Sequence, residues 1–310
     1  MKAIVQDAYG ETEVLRVEDI EVPAIGADDV LVEVRAAGVD RGAWHVMTGL
    51  PYLGRLGFGL RRPRNRVRGL DVAGRVAAVG ANVTRFHPGD EVFGTCSGAY
   101  AECAKARADR LMLKPAHLTF EQAAALPTSG TTALHALRHP GDSVLVIGAG
   151  GGVGVFAVQL AKARGSQVTG VCSTAKADTV RDAGADHVID YTREPLTGTY
   201  DLILDIAGNR SLSTLRGLLT RRGTLVIVGG EEGGHFSGGM NRQLRALALS
   251  PFIGQTLTML IAVPDLADLE ALAGLTPAID RVFPLAEAPA AIRYVAGGNA
   301  RGKVVLTIKR

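Results

Sequence analysis

The 310-residue sequence predicts an α/β protein, in which a β-rich unit precedes a parallel sheet covered by helices on both faces. Three observations support this prediction: period-two alternation in the first third, a later succession of apolar runs and helical patterns, and a glycine-rich turn between one run and one helix. Hydrophobic residues make up 47% of the chain, which excludes general disorder. Because a chain of this length exceeds what one core usually serves, we expect two domains.

The β-rich unit is predicted from strands and turns over residues 1–118. In DDVLVEVRAAGV, residues 28–39, valine alternates with other residues, so one face of the strand is apolar. DVAGRVAAVG and GDEVFGT add short β segments, and the Pro-Gly-Asp turn of FHPGDEV precedes a strand. These features predict a small barrel. A final strand, KVVLTIK, stands apart from the later α/β series and could pack back on the barrel, so we define the first domain as residues 1–118 with 264–310.

The second domain, residues 119–263, is predicted to hold the parallel sheet. Apolar runs such as SVLVIG, QVTGVC, YDLILDIAG and GTLVIVGG show no alternation, and helical patterns separate them. Strands of this kind are buried on both faces, as in a doubly wound sheet.

The turn GAGGGVG, residues 148–154, joins one apolar run to a helical pattern. Gly148, Gly151 and Gly154 recur every third residue, close to GxGxxG but with Ala149 at the first glycine of that pattern. Alone the motif is a weak signal, because glycine-rich turns also occur for steric reasons. Here a strand precedes it, a helix and a second strand follow, and Gly165 suits the helix end. This context indicates a Rossmann unit that binds a dinucleotide pyrophosphate at the helix N-terminus.

The end of the second strand of this unit favours NADPH over NADH. An NAD site would have Asp or Glu there to hold the ribose hydroxyls, but the sequence has Cys172, Ser173 and Thr174, followed by Lys176. Hydroxyls and a lysine suit a 2′-phosphate. The alternative is that Thr174 caps the next helix and Lys176 is solvated, and both interpretations can hold together.

Composition and charge exclude several classes of protein. The net charge of +3 and the pI near 8.8 do not by themselves indicate a nucleic acid or an anionic membrane as partner. The N-terminus lacks signal-peptide features, and no apolar run reaches the roughly 18 residues that span a bilayer. The three cysteines lack CxxC spacing and suggest neither a disulfide framework nor a sulfur-rich zinc site, so we expect a cytoplasmic protein.

Six motifs then point to a family: AAGV at 36–39, GLDVAGRVAAVG, HPGDEVFG, LPTSGTTALHAL, GAGGGVG and GKVVL. In this order they resemble the medium-chain dehydrogenase/reductase superfamily, and within it the zinc-independent quinone oxidoreductase branch. The resemblance implies a GroES-like barrel domain, completed by the C-terminus, and a Rossmann domain, with the cofactor in the cleft between them. It also implies a homodimer formed through the edge of the Rossmann sheet, with GTLVIVGG, residues 223–230, as the segment that could pair with its copy.

The positions of the catalytic zinc ligands are changed in this sequence. Zinc enzymes of the superfamily have a cysteine shortly after AAGV and a His-Glu pair in GHExxG, where this chain has Asp40 and then Gly69, Leu70 and Asp71. None of the seven histidines forms an HxH or HExxH spacing, so we expect no metal site. Without a Lewis acid, a quinone or an α,β-unsaturated carbonyl is the acceptor that needs least assistance, because its conjugated oxygen delocalises the incoming charge. Reduction of a ketone or oxidation of an alcohol on the same fold is the alternative.

The resemblance also implies the residues that contact the cofactor. Thr132 is predicted at the nicotinamide, and backbone groups of three residues at the pyrophosphate. Ser173 and Lys176 face the 2′-phosphate, and Lys303 lies near the cofactor, unless it is an exposed strand charge. The remaining predicted contacts are Gly151, Gly152 and Val153 at the pyrophosphate, Tyr191 near the adenosine phosphate unless it belongs to the core, and Ala207, Gly208, Gly229 and Gly230 at the ribose and carboxamide.

On the substrate side, we predict roles for Asp40, Trp44 and Tyr52. Asp40 stands where quinone oxidoreductases often have asparagine, and ionised aspartate only accepts hydrogen bonds. It could act if protonated in a dry pocket, hold a ribose hydroxyl, or orient another group. Trp44 and Tyr52 are candidates to stack on a flat acceptor, with packing at the barrel edge as the alternative. Ordered water or Tyr52 would supply the proton.

Six arginines fall within residues 55–69. One interpretation is an anion site, for an acidic substrate or for RNA. The interpretation we favour is a solvated loop, because only one aromatic residue, Phe58, lies among the arginines and the net charge is small. We therefore expect a small-molecule partner and no nucleic acid or membrane, while a cofactor-binding, RNA-interacting protein with little turnover stays an alternative.

Overall fold

The computed structural model describes residues 1–230 and 234–309. The chain forms two compact units, one made of Met1–Leu50, Gly54–Thr131 and Val263–Arg310, the other of Pro51–Leu53 and Thr132–Ala262. We call them the barrel unit and the parallel-sheet unit.

The helices and strands are numbered in chain order. The strands are β1 (Lys2–Val5), β2 (Arg16–Asp19), β3 (Asp29–Val39), β4 (Asp71–Val79), β5 (Glu91–Thr95), β6 (Cys103–Arg107), β7 (Leu111–Leu113), β8 (Ser143–Ile147), β9 (Gln167–Cys172), β10 (His187–Asp190), β11 (Tyr200–Asp205), β12 (Leu219–Ile227), β13 (Thr256–Met259), β14 (Ile279–Pro284) and β15 (Lys303–Thr307). The helices are α1 (Arg41–Thr48), α2 (Arg55–Phe58), α3 (Phe120–Ala125), α4 (Pro127–Ala136), α5 (Gly152–Ala163), α6 (Ala177–Asp182), α7 (Leu212–Gly217), α8 (Met240–Leu249), α9 (Leu266–Leu272) and α10 (Ala288–Ala296).

The barrel unit is built around β3. Its main sheet has the order β14-β15-β3-β4-β5-β7, with β6 also paired to β3, and β1 and β2 form a separate antiparallel ribbon. Buried and half-buried residues alternate along the first half of β3, as its valine alternation predicts. β15 pairs antiparallel with β3, so the prediction that KVVLTIK returns to the first unit is confirmed.

The parallel-sheet unit has the strand order β10-β9-β8-β11-β12-β13, and every pairing is parallel. The strand order reverses between β8 and β11, which is where open α/β sheets bind ligands at the carboxyl ends of their strands. In β8, residues Val144–Ile147 are all buried, which is why this run shows no alternation in the sequence. The predicted fold, a GroES-like barrel with a Rossmann sheet, is confirmed. In the described ranges, no helix is long and apolar enough to cross a bilayer.

Residues 119–131 belong to the barrel unit, whereas we expected the second domain to begin at residue 119. Thr119 and Gln122 form a capping box at the start of α3, and this helix packs on β3, β4 and β15. Gly38 of β3 allows the helix to approach closely, since a Cβ on Gly38 would lie 2.4 Å from the carbonyl oxygen of Ala124. A helical pattern in the sequence does not reveal which sheet the helix covers.

Candidate functional site

The glycine turn in the parallel-sheet unit makes a tight connection directly after β8. Gly148 has φ +87°, and the N–H groups of Gly148 and Ala149 donate to the carbonyl of Val171 at 3.1 and 3.0 Å. Gly151 is the extended N-cap of α5, and its carbonyl accepts from the N–H of Val155 at 3.0 Å. The first N–H groups of α5 therefore face the carboxyl end of the sheet without an intrahelical acceptor.

Three of the four glycines that follow Ala149 in the turn have different steric roles. A Cβ on Gly154 would lie 2.2 Å from the carbonyl oxygen of Gly148, so this glycine allows the helix to pack on the turn. A Cβ on Gly150 would lie 2.6 Å from Cβ of Lys176, which places that lysine against the turn. Around Gly151 the nearest atom to an added Cβ is 3.5 Å away, so the helix N-terminus is open there.

The end of β9 holds the predicted 2′-phosphate residues, together with an acid that the sequence reasoning missed. Cys172 is paired in register with Asp190 of β10. The hydroxyl of Thr174 donates to the carboxylate of Asp190, and this hydrogen bond is the main cause that lowers the pKa of Asp190. Thr174 therefore does not cap the next helix, because Ser173 and Lys176 occupy the N-cap positions there. The signal was Asp190 in VIDYT, but only the sheet order brings it beside β9.

Tyr191 lies at the surface, which rules out the interpretation that it belongs to the core. Its side chain is 49% exposed, and the guanidinium of Arg210 lies 5.8 Å from the centre of its ring. Nε of Arg210 is buried and has no hydrogen-bond partner among the described residues. Besides Lys176, Arg210 is thus a second cation near the predicted cofactor residues, and nothing in the sequence indicated it.

The ends of β11 and β12 approach each other closely enough to require glycine. Gly208 has φ +69°, and a Cβ there would lie 2.6 Å from the backbone of Gly229. The predicted contact residues Ala207 and Gly230 adjoin these two glycines. Asp205 is fully buried beneath them and accepts a hydrogen bond from the N–H of Gly208 at 3.1 Å.

An ion pair holds Asp205 in place. Arg242 of α8 donates to its carboxylate. Burial raises the pKa of Asp205, while the cation of Arg242 opposes that shift. Sequence reasoning missed this pair because its two members are 37 residues apart.

In the barrel unit, Asp40 and Trp44 belong to α1. Asp40 is the N-cap and accepts from the N–H of Ala43 at 3.2 Å, so its carboxylate stabilises the start of its own helix. Trp44 packs partly on the barrel core. The guanidinium of Arg41 lies 5.1 Å from the centre of the Trp44 ring, which leaves less of the indole for a flat acceptor.

A buried group of polar residues connects β4, α4 and β15. Asp71 is fully buried and accepts from the N–H of Thr128 at 3.2 Å, near the start of α4, the helix that carries Thr132. Lys303 is 1% exposed, and its Nζ donates to the hydroxyl of Ser129 at 2.8 Å. The alternative that Lys303 is an exposed strand charge is therefore wrong, and its contact with the cofactor stays a prediction.

Burial raises the pKa of Asp71 to about 7, and the nearby cation of Lys303 opposes this shift. The carboxylate of Asp40 adds to the increase. Asp71 and Lys303 thus form a coupled pair of opposite charges inside the barrel unit.

Tyr52 is grouped with the parallel-sheet unit. Its N–H donates to the carbonyl of His235 at 2.8 Å, and its ring meets that of His235 edge to face at 6.5 Å. The side chain is 44% exposed. Tyr52 therefore does not belong to the packed barrel edge.

Comparison with known proteins agrees with this architecture. Residues 26–147 match the alcohol dehydrogenase GroES-like domain family, and residues 183–306 match the zinc-binding dehydrogenase family. The quinone oxidoreductase of Sus scrofa is 31% identical over 99% of this chain and 98% of its own length.

The chain belongs to the medium-chain dehydrogenase/reductase superfamily. Within it, the chain falls in the quinone oxidoreductase branch, and it is an oxidoreductase. Two solved structures are similar over nearly the full length. The quinone oxidoreductase from Coxiella burnetii has a TM-score of 0.87 and 28% identity, covering 100% of this chain and 99% of its own. The Escherichia coli quinone oxidoreductase complexed with NADPH has a TM-score of 0.83 and 25% identity, covering 99% and 100%.

The ligand positions of the zinc enzymes in this superfamily hold unsuitable side chains. Leu70 offers no ligand atom, while Asp40 already accepts from the N–H of Ala43 and Asp71 from the N–H of Thr128. Over the described ranges, no three His, Cys, Asp or Glu side chains are grouped so that they could hold a metal ion. The donor set does not fit zinc.

Proposed function

We propose that the protein is an NADPH-dependent, zinc-independent reductase that transfers hydride to a quinone or an α,β-unsaturated carbonyl compound. The observation that carries this proposal is the open N-terminus of α5, which adjoins Lys176 at the glycine turn. The carboxylate beside the end of β9, Asp190, already accepts a hydrogen bond from Thr174. A pyrophosphate binds to the free N–H groups of an open helix N-terminus, and a 2′-phosphate binds to a nearby cation. The Escherichia coli relative with bound NADPH gives independent support.

The residues around the glycine turn fit NADPH. Gly151, Gly152 and Val153 would hold the pyrophosphate through backbone groups, because a glycine at the first of these positions keeps the approach open. Ser173 and Lys176 would hold the 2′-phosphate. Thr174 would contribute less than the sequence suggests, because its hydroxyl is already bonded to Asp190.

The remaining predicted contacts are part of the proposal. Thr132 would orient the nicotinamide, and Tyr191 would lie by the adenosine phosphate. Lys303 is buried against Ser129, so we propose that it acts by holding the start of α4. Four backbone positions would line the ribose and carboxamide: Ala207, Gly208, Gly229 and Gly230.

When bound, the reduced nicotinamide supplies the hydride, and the chain supplies position and the exclusion of water. Asp40 accepts from its own helix and is poorly suited to donate a proton to the acceptor. The exposed phenol of Tyr52, or a water, is the better proton source. Because the donor set does not fit zinc, the acceptor itself must stabilise the incoming charge, which favours quinones and enones over simple ketones.

The experiment that tests this function is a panel of acceptors assayed with NADPH and with NADH. We expect menadione and benzalacetone to be reduced, NADPH to be preferred, and activity to persist after dialysis against a zinc chelator. Turnover of secondary alcohols alone would favour the alcohol oxidoreductase. If no acceptor were reduced while RNA bound tightly at physiological salt, the RNA-interacting alternative would replace the proposal.

The proposal includes a homodimer in the cytoplasm. GTLVIVGG is not at an edge of the sheet, because its strand β12 is paired with β11 and β13. We therefore propose β13, one of the two edge strands, as the pairing segment; the nearby side chains of Phe252 and Ile261 are 84% and 78% exposed. All three cysteines are free and buried, which suits a reducing compartment. Analytical ultracentrifugation showing only monomers at micromolar concentration would contradict the dimer.

A further inference from the structure

Two arginines of the arginine-rich segment have opposite environments. Arg66 is exposed, and it donates to the carboxylates of Asp7 and Glu18 at 2.7 Å each. Arg68, two residues later, is only 4% exposed. Its Nε has no hydrogen-bond partner, and no carboxylate of the described residues pairs with it. The chain therefore neutralises the exposed arginine and leaves the buried one without a counterion.

The backbone fixes Arg68 in this position. Its N–H donates to the carbonyl of Ile4 at 3.1 Å, and its carbonyl accepts from the N–H of Tyr100 at 2.8 Å. The next residue, Gly69, has φ +95°, and a Cβ there would lie 2.3 Å from the ring of Tyr100. The guanidinium thus cannot leave its buried position by a simple turn of the backbone.

Such a position is costly for a cation. Burial lowers the pKa of Arg68 to about 10, and only Tyr9 and Tyr100 oppose this shift. The pKa values of both phenols are raised, so both are neutral at physiological pH. A residue needed only for packing would be apolar, because a buried charge without a partner destabilises the fold. The missing counterion therefore points to a ligand.

Arg68 lines a cavity of about 390 Å³ that is formed wholly within the barrel unit. This volume lies in the range of small-molecule sites. Val46, Phe58 and Leu70 give the cavity an apolar side, and Asp40 also lines it. The cavity thus combines a buried cation with an apolar surface.

We propose that this cavity binds an acidic acceptor, with its carboxylate paired to Arg68 and its hydrophobic part against Val46, Phe58 and Leu70. The role as acceptor rests on the function proposed above, whereas the anion site rests on the cavity and on Arg68. Arg68 is then a specificity-determining residue that selects acidic over neutral acceptors. Asp40 also lines the cavity, and its carboxylate would repel a second carboxylate placed beside it, so an acidic ligand should bind with its carboxylate at Arg68 and away from Asp40.

The same contacts argue against an RNA surface over this segment. Arg66 is already paired with two carboxylates, and Arg55 lies 4.4 Å from the ring centre of Tyr9 and bonds the carbonyl of Gly49 at 2.9 Å. Arg68 is too deeply buried to meet a polyphosphate backbone. A small carboxylate can enter the cavity.

The test compares cinnamate with cinnamamide, its neutral isostere, by isothermal titration calorimetry. We expect the wild-type protein to bind the acid about tenfold or more tightly than the amide, as a charge-assisted hydrogen bond provides. Arg68→Met should remove this preference and leave Tm equal to or above that of the wild type. Arg66→Met, the matched control, should keep the preference.

Several outcomes would overturn the proposal. Equal affinity of the wild type for acid and amide would do so whether or not the variant folds. Unchanged preference in Arg68→Met, or loss of preference in Arg66→Met as well, would assign the effect to something other than the cavity.

A turnover assay separates this proposal from the proposed function. We expect kcat/KM to be about tenfold higher for the para-carboxy derivative of benzalacetone than for benzalacetone, and the two to be equal in Arg68→Met. Reduction of both compounds at equal rates would overturn only the selection of acidic acceptors. Binding of cinnamate without reduction of any acceptor would overturn only the reductase.

Discussion

The glycine turn of the parallel-sheet unit and the buried charges of the barrel unit are built in opposite ways. The turn uses the backbone of seven consecutive residues, 148–154, and owes its shape to missing side chains. The charged group is assembled from side chains that are far apart: Asp71 lies 57 residues from Thr128, and Ser129 lies 174 residues from Lys303. A site built from backbone, such as the turn, should be destabilised when a side chain is added at one of its glycines. A site built from distant side chains, such as the charged group, should be destabilised when one of those side chains is removed.

The largest effect is expected for Lys303→Met, which would leave Asp71 buried without its nearby cation. We expect a loss of about 3–5 kcal/mol in the free energy of unfolding, measured by urea denaturation at about pH 9, where Asp71 is ionised in the wild type. The double variant Asp71→Asn with Lys303→Met should recover part of the loss, since it removes both charges. A single variant as stable as the wild type would show that the two residues are not energetically coupled.

Gly154→Ala tests whether the turn is destabilised when a side chain is added at one of its glycines. Its Cβ would meet the carbonyl oxygen of Gly148 at 2.2 Å, so we expect a loss of about 2–3 kcal/mol in the same measurement. Gly151→Ala is the matched control, because its Cβ meets nothing closer than 3.5 Å. The control should lose less than about 1 kcal/mol but bind NADPH more weakly. If both variants were equally stable, steric closeness would not explain the glycines.

The pH dependence of stability sharpens the description of Asp71. Burial raises its pKa in the folded state to about 7, above the unfolded value of 3.8. Between these values the folded state keeps a proton that the unfolded state releases, so this group lowers stability as pH rises through that window. The slope from one proton is at most about 1.4 kcal/mol per pH unit. Asp71→Asn should remove this part of the slope, and an unchanged slope in the variant would contradict the raised pKa.

The smallest effect is expected on cofactor affinity, for a substitution at Lys176 beside the glycine turn. Lys176→Met should raise the Kd for NADPH about tenfold and leave the Kd for NADH nearly unchanged, because only NADPH has the 2′-phosphate. Lys162→Met is the control, since Lys162 pairs with Asp186 at 2.8 Å. Equal weakening of both cofactors would show that Lys176 does not contact the 2′-phosphate.

The contrast between a site built from consecutive residues and one built from distant side chains explains which features could be predicted from the sequence. The parallel sheet and the glycine turn follow from local patterns, so they could be predicted from short stretches such as SVLVIGAGGGVG. The place of α3 could not, because its alanine-rich pattern fits either sheet. Arg68 could be counted within a basic segment, but its burial depends on pairing with Ile4 and Tyr100, far away in the sequence. Asp190 likewise meets Thr174 only through the order of strands.

The position of β15 between β14 and β3 has a consequence for synthesis of the chain. Thr132–Ala262, nearly all of the parallel-sheet unit, leaves the ribosome before Lys303 is made. Until then the Ala36–Val39 end of β3 is paired with β4 on one side only and lacks β15 on the other, and an unpaired strand edge attracts other chains. The nascent barrel is therefore the part of this molecule that most needs protection by chaperones.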